Sequence, residues 1–432
     1  MRFHVLGIGS IGTLVAHHLR RALPQGEQLS LIVRRNQPGH LPLHVPHTLI
    51  VEHDGRRSEV RQGFNFEYAL PKQDMALQLV EAIRDERSKK EFSKAKTFQK
   101  AKDDLEDSPT GIPIESLVVA TKATTTLAAL RQCQKRLTRN STIVLLQNGM
   151  GIYESIVENL FPHPDDRPNI ILATTTHGAW KKRDVLDAHH VVHAGKGDLQ
   201  FAIVPDSSAN PRDFERTFWD ASPALHPDER LLSLDDIEDE VMNNTTPGDP
   251  KYLSLRKTVD ALLSLDLNTK WRPMAQLQIR LRQKVTINSS VNPITALVGC
   301  RNGHLLGTTH SRNLIRSVCR EASDIFREAA GQPEDDQSGE WLFGGGNAST
   351  GGMQVLSAGF LENETYRVIK NTASNYSSML LDMEKGAVLE VDYMNGYLSR
   401  LGQHYNVPTR TIDALRDAVL VKASLNRIAN LV

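Results

Sequence analysis

The sequence predicts two architectures in one chain: an α/β, Rossmann-type doubly wound sheet in the N-terminal part, followed by an all-α C-terminal domain. Three observations carry this expectation. Gly7-Ile8-Gly9-Ser10-Ile11-Gly12 stands directly between a strand-like run and a helix-like run. Strand-like and helix-like segments then alternate to about residue 205. From about residue 256 onward, helical periodicity replaces the strand-like runs.

The first unit is the clearest. Phe3-His4-Val5-Leu6 reads as a short buried strand, and the glycine turn follows at once. Leu14, Val15, His18, Leu19 and Ala22 recur with helical spacing, and Pro24-Gln25-Gly26 ends that helix. Leu29 to Val33 is the second strand. Ser116 to Ala120, Thr142 to Leu146 and Asn169 to Ala173 continue the sheet, with helices around Thr125–Leu137 and Ile152–Leu160 between them. His190 to His193 and Leu199 to Val204 read as two later, antiparallel strands at the sheet edge. These elements make residues 1–205 a dinucleotide-binding domain, interrupted by a charged insertion at about 82–112. Residues 206–255 read as a polar insertion or linker. Residues 256–432 read as a helical substrate domain with a Gly-rich loop at about 331–353.

Composition narrows the function classes. The 432 residues carry 51 basic and 51 acidic side chains, so no global field gathers nucleic acid or an anionic membrane. No apolar run approaches the roughly 18 residues of a membrane span. A cleavable leader would remove the glycine turn, so the expected location is cytoplasmic. Cys133, Cys300 and Cys319 are odd in number and form no CxxC pair, which suits a reducing compartment and small buried side chains. No metal site is expected.

The glycine turn has a physical rationale at each position. Gly7 permits the tight turn, Gly9 lets the backbone approach a pyrophosphate, and Gly12 lets the helix pack on the strand. Ser10 and Ile11 open the helix, whose N–H groups and dipole favour phosphates. The second strand ends Val33-Arg34-Arg35-Asn36 with no acid to hold a ribose 2′-hydroxyl. Arg34 therefore suits a 2′-phosphate and points to NADP(H), unless it is an ordinary solvated arginine. Lys122 and Asn148 follow strand ends, where such sheets build their ligand crevice; each could equally be an ordinary loop residue.

The second domain contributes a polar stripe. Lys284, Asn288 and Asn292 are spaced i, i+4, i+8 among Val, Ile, Ala and Leu. Buried amides and a buried lysine are costly unless paired, so the stripe is a candidate site; a partly exposed amphipathic helix is the competing reading. Ser378 and Glu390 lie in successive segments and could face a cleft, or be a helix cap and a surface acid.

Taken together, these segments resemble the ketopantoate reductase (2-dehydropantoate 2-reductase) family. The matching stretches are GIGSIG at 7–12, Lys122 within ATKA, QNGMG at 147–151, TTTHGA at 174–179, KVTINSSVNPITAL at 284–297 and SSMLLDMEKGAVLEVDYMNG at 377–396. They occur in family order and span most of the chain. The resemblance implies NADPH-dependent reduction of 2-dehydropantoate to (R)-pantoate. It implies Lys284 as general acid, Glu390 as its acidic partner, and Asn288, Asn292 and Ser378 as substrate-binding positions. It places Asn148 and Lys122 near nicotinamide and substrate, and Arg34 on the 2′-phosphate. The chain departs from the compact members in its three insertions, and in His304 where an acid often follows the Asn-Gly pair at 302–303. A reductase of another branched 2-oxo acid and a catalytically silent NADP(H)-binding regulator are the rival readings. The expected partners are a small 2-oxo acid and, beside the monomer, a second copy in a homodimer.

Overall fold

The computed structural model describes residues 1–33, 48–68, 112–182, 188–205, 214–215, 232–237, 249–331 and 354–429. Arg34 lies outside them, as do nearly all of the expected 82–112 and 331–353 insertions. The chain divides into two units. The first comprises Met1–Thr121, Thr125–Gln147 and Ile156–Arg272; the second comprises Lys122–Thr124, Asn148–Ser155 and Pro273–Val432.

The first unit is built on two sheets. Its strands are β1 (Arg2–Leu6), β2 (Gln28–Val33), β3 (Thr48–His53), β4 (Arg56–Val60), β5 (Phe64–Tyr68), β6 (Ser116–Val119), β7 (Thr142–Leu145), β8 (Asn169–Thr175), β9 (Gly178–Lys182), β10 (Ala188–Gly195), β11 (Leu199–Ile203) and β12 (Thr269–Trp271). The larger sheet has the order β12-β11-β8-β7-β6-β1-β2-β5, and only the β8–β11 pair is antiparallel. β6, β7 and the heart of β1 and β8 are buried apolar runs, as a sheet covered on both faces demands. Helix α1 (Ser10–Ala22) links β1 to β2 in one direction; α2 (Ala123–Cys133) and α3 (Ile152–Leu160) link β6, β7 and β8 in the other. Right-handed crossovers put these helices on opposite faces, which makes the sheet doubly wound.

The smaller sheet, β4-β3-β10-β9, packs over α1. It corrects two expectations. His190–His193 is not an edge strand of the main sheet, because β10 pairs with β3, His190 opposite Ile50. Leu199–Val204 is not the edge either, since Trp271 of β12 pairs beyond Phe201. The two rings stack 6.2 Å apart, and Trp271 is fully buried.

The expected boundary at 256 also moves. Helix α4 (Pro250–Leu263) buries Tyr252, Leu255, Val259 and Leu262 against the core and packs on β6, β7 and β12. Asp249 caps it, its side chain accepting from the Lys251 N–H. The sheet-bearing unit therefore runs to Arg272. The end of the polar 206–255 stretch is already helix, because its apolar residues are needed in that core.

The second unit is helical: α5 (Met274–Val298), α6 (Thr309–Gly331), α7 (Ala358–Asn371), α8 (Ser378–Glu384), α9 (Asn395–His404) and α10 (Arg410–Ala429). α5 is its axis and packs against α6, α7, α8 and α10. Val285, Val291, Ile294 and Ala296 of α5 join one core with Ile315, Phe326, Leu361, Leu380, Leu398 and Ile412.

Candidate functional site

The glycine turn is shaped as its sequence suggests. Gly7 has φ +97, and a Cβ there would stand 2.7 Å from Thr121 Cγ2. A Cβ on Gly12 would collide with the Gly7 carbonyl oxygen. Gly9 differs, since nothing lies within 4 Å of where its Cβ would be. Its smallness thus keeps space open rather than relieving a clash. Gly9 is also the N-cap of α1, which has no side-chain cap and no acid in its first turn. Open space over the first N–H groups of a helix, at Ser10 and Ile11, fits the phosphates of a dinucleotide.

The second unit gathers the expected polar residues along α5. Lys284 and Asn288 are half-buried and Asn292 is buried, its Nδ2 lying 3.8 Å from Met394 Sδ. The stripe sits just before Pro293, inside the helix. Proline has no N–H, so the Ser289 carbonyl loses its helical donor. Asn395 Nδ2 supplies a replacement at 3.0 Å. Further along, Thr295 Oγ1 donates to Ser377 Oγ at 2.7 Å, and Ser377 Oγ accepts from the Leu380 N–H. Ser377 is thus the buried cap of α8, whereas Ser378 is the exposed first residue of that helix.

Glu390 is the centre of the charge arrangement. It is 8 % exposed, and its Oε1 accepts from the Ala123 backbone N–H at 2.8 Å. Burial pushes its carboxyl above the ordinary range; Asp382 adds to this, while the Ala123 N–H, Lys122 and Lys284 oppose it. Lys122 Nζ pairs with Asp382 Oδ1 at 2.5 Å. Lys122, Lys284 and Glu390 therefore share one electrostatic neighbourhood. Asp382 and the Ala123 N–H belong to it too, although neither was singled out from the sequence. Asp382 sits four residues after Ser378 on α8, and that spacing was the available signal.

Asn148 enters through a tight backbone contact. The next residue, Gly149, has φ +85, and a Cβ there would lie 2.9 Å from Tyr393 Cβ and on top of the Tyr393 carbonyl. The Met150 N–H donates to that carbonyl at 2.8 Å. Asn148 is thereby anchored beside the segment that follows Glu390. The Asn302-Gly303 pair is structural: its N–H groups donate to the Asn375 and Ala373 carbonyls, and His304 is exposed.

Comparison with known proteins agrees with this architecture. Residues 74–206 match the family described as ketopantoate reductase PanE/ApbA, and residues 277–423 match its C-terminal part. A probable 2-dehydropantoate 2-reductase of Schizosaccharomyces pombe is 27% identical over 291 residues, 67% of this chain and 69% of that protein. A D-mandelate dehydrogenase solved with NADH and anilino(oxo)acetate is similar in fold, with TM-score 0.62 and 15% identity over 99% of both chains. A dimeric ketopantoate reductase from Staphylococcus aureus superposes with TM-score 0.54 and 15% identity over 99% of this chain and all of that one. With both family regions matched in order over more than half of the chain, the chain belongs to the ketopantoate reductase family of oxidoreductases.

Proposed function

We propose that the protein reduces 2-dehydropantoate to (R)-pantoate with NADPH, a step of pantothenate and coenzyme A biosynthesis. The observation that carries this reading is the buried Glu390 carboxyl, held by the Ala123 N–H within the field of Lys284 and Lys122. When bound at the Gly7–Gly12 turn, the nicotinamide cofactor supplies a hydride to the C2 ketone. As charge develops on the C2 oxygen, the Lys284 ammonium stabilises it and donates a proton. Glu390 orients Lys284 and favours its charged form, and the attraction is reciprocal. Asn288, Asn292 and Asn148 offer amides, and Ser378 a hydroxyl, to the substrate's carboxylate and hydroxyl without adding charge. Lys122, held by Asp382, and Asn148 also meet the nicotinamide end of the cofactor. Arg34 is the proposed partner of the 2′-phosphate. We place the reaction in the cytoplasm and the protein in a homodimer, the state named for the S. aureus relative. No helix among the described residues is long and apolar enough to cross a membrane.

The test is cofactor oxidation with 2-dehydropantoate beside other branched 2-oxo acids and an aryl 2-oxo acid, with NADPH and with NADH. 2-Dehydropantoate with NADPH should give the highest kcat/KM, and Lys284→Ala should lower kcat by about 10²–10⁴-fold. Preference for another 2-oxo acid would establish the paralogous reductase, the reaction type nearest to that of the D-mandelate dehydrogenase. Tight NADPH binding without turnover of any acid would establish the silent regulator.

A further inference from the structure

A polar cavity lies wholly within the sheet-bearing unit, between α1 and the smaller sheet. It is open to solvent and has a volume of about 350 Å³. α1 contributes His17, His18 and Arg21. The β3–β4 hairpin contributes His53, Arg56, Arg57 and Ser58. The ends of β8 and β10 add His177, His193 and Lys196, and the approach to β12 adds Asp266 and Asn268. None of these residues belongs to the glycine turn or to the Lys284–Glu390 site.

The chemistry of the lining selects the ligand. Four cationic side chains, Arg21, Arg56, Arg57 and Lys196, face one lining carboxylate, Asp266. Two further acids stand at the hairpin: Glu52 pairs with Arg57 at 3.3 Å, and Asp54 with His53 at 3.1 Å. The imidazoles do not form a metal cage, since no three His, Cys, Asp or Glu side chains among the described residues are arranged to hold one. Instead, His17 Nε2 meets Ser58 Oγ at 3.1 Å, and His53 Nδ1 donates to the His193 carbonyl at 2.8 Å. His177 Nε2 donates to the Leu267 carbonyl at 2.9 Å, and its Nδ1 accepts from the Gly197 N–H at 2.9 Å and from His193 Nε2 at 3.0 Å. That network makes His177 Nε2 and His193 Nε2 the donors. Among the described residues, Val51 and Leu267 are the only apolar side chains in the lining. Ser58 and Asn268 can hydrogen-bond hydroxyl groups.

We propose that this cavity binds a small phosphomonoester, such as a phosphorylated polyol, and takes up protons as it does so. Charge and size favour a compact dianion with hydroxyl groups. The histidines supply the proton linkage. Burial, with His18 and Arg21 beside it, pushes His17 down to about 4. Burial also holds His18 down to about 4, with Arg21, His193 and His177 adding to it and Asp266 opposing. His193 is lowered by burial and by His177, His53 and Lys196, against its hydrogen bond to Gly195. A dianion among them offsets the neighbouring positive charges and raises all three, so binding of the dianion is linked to proton uptake by the histidines.

The experiment is calorimetric titration of the full chain with glycerol 2-phosphate and with inorganic pyrophosphate at pH 6.5, in two buffers of different ionisation enthalpy. Binding with net proton uptake is expected. The exposed pair Arg56→Gln/Lys196→Gln should weaken it at least tenfold, with the thermal transition unchanged. Gly9→Val, which alters the dinucleotide turn where a Cβ meets open space, should leave it intact. Absence of glycerol 2-phosphate binding overturns the proposal, whether or not pyrophosphate binds. So does binding that Gly9→Val abolishes and the double substitution spares, because the anion then sits at the turn. Binding without proton uptake also overturns it.

Discussion

At the scale of single residues, Glu390 combines two opposing influences. Burial disfavours its charge, while the Ala123 N–H and two lysines favour it, and the net effect lies above the ordinary carboxyl range. Activity that depends on the ionised carboxylate should therefore fall as pH drops through this raised value, at a higher pH than an exposed glutamate would give. Glu390→Gln should erase that acidic limb and lower kcat by about 10²-fold, leaving KM for the nicotinamide cofactor within twofold. A pH–rate profile of the two proteins checks this, and an unchanged limb would assign it to another group. Glu390 was legible only through the family pattern. It lies twelve positions after Ser378, and no helical or strand period links the two. Ser378 itself was placed by that pattern, while the buried cap proved to be its neighbour Ser377.

At the scale of elements, backbone conformation and carbonyl partners do most of the positioning. Gly149 needs a positive φ, and any Cβ there meets the Tyr393 backbone. Gly149→Ala should destabilise by more than about 2 kcal/mol, since it combines a strained φ with a collision against main chain. It should also raise KM for the 2-oxo acid by displacing Asn148. Urea unfolding and steady-state kinetics measure the two effects, and a wild-type urea midpoint would contradict this role. The glycine turn was legible because its requirements are local: a tight turn, a free helix N-terminus and close packing within one strand–helix unit. The β3–β4 hairpin carried a local signal as well, Asp54-Gly55 at positive φ between paired strands, but its charged β4 does not read as a strand. The coupling of Pro293 to Asn395 was not legible, because the donor for the Ser289 carbonyl lies 106 positions away.

At the scale of the whole molecule, buried histidines bear on acid stability. His17 and His18 are held to about 4, chiefly by burial. The folded state favours their neutral forms, so their contribution is present above the ordinary histidine pKa of about 6.5 and is lost as pH falls through about 4. Glu67 acts in the same direction lower down. Burial alone would raise it, but His4, Ser30 and Arg136 hold it to about 2, so its contribution fades below the ordinary glutamate range. The lowest thermal transition should fall by several degrees between pH 7 and pH 5, and His18→Gln should flatten that dependence. Differential scanning calorimetry decides, and a transition independent of pH over that range would refute it. Local pattern in the sequence was enough for the doubly wound sheet, the helical second part, the glycine turn and the polar stripe on α5. Each depends on neighbours a few residues apart, or on apolar runs long enough to show their period. Only the tertiary structure decided that β10 leaves the main sheet for β3, that α4 and β12 belong to the sheet-bearing unit, and that Asp382 and the Ala123 N–H join Lys122 and Glu390. Those outcomes depend on which distant segment satisfies a strand edge, an apolar face or a buried charge, and sequence spacing does not record that choice.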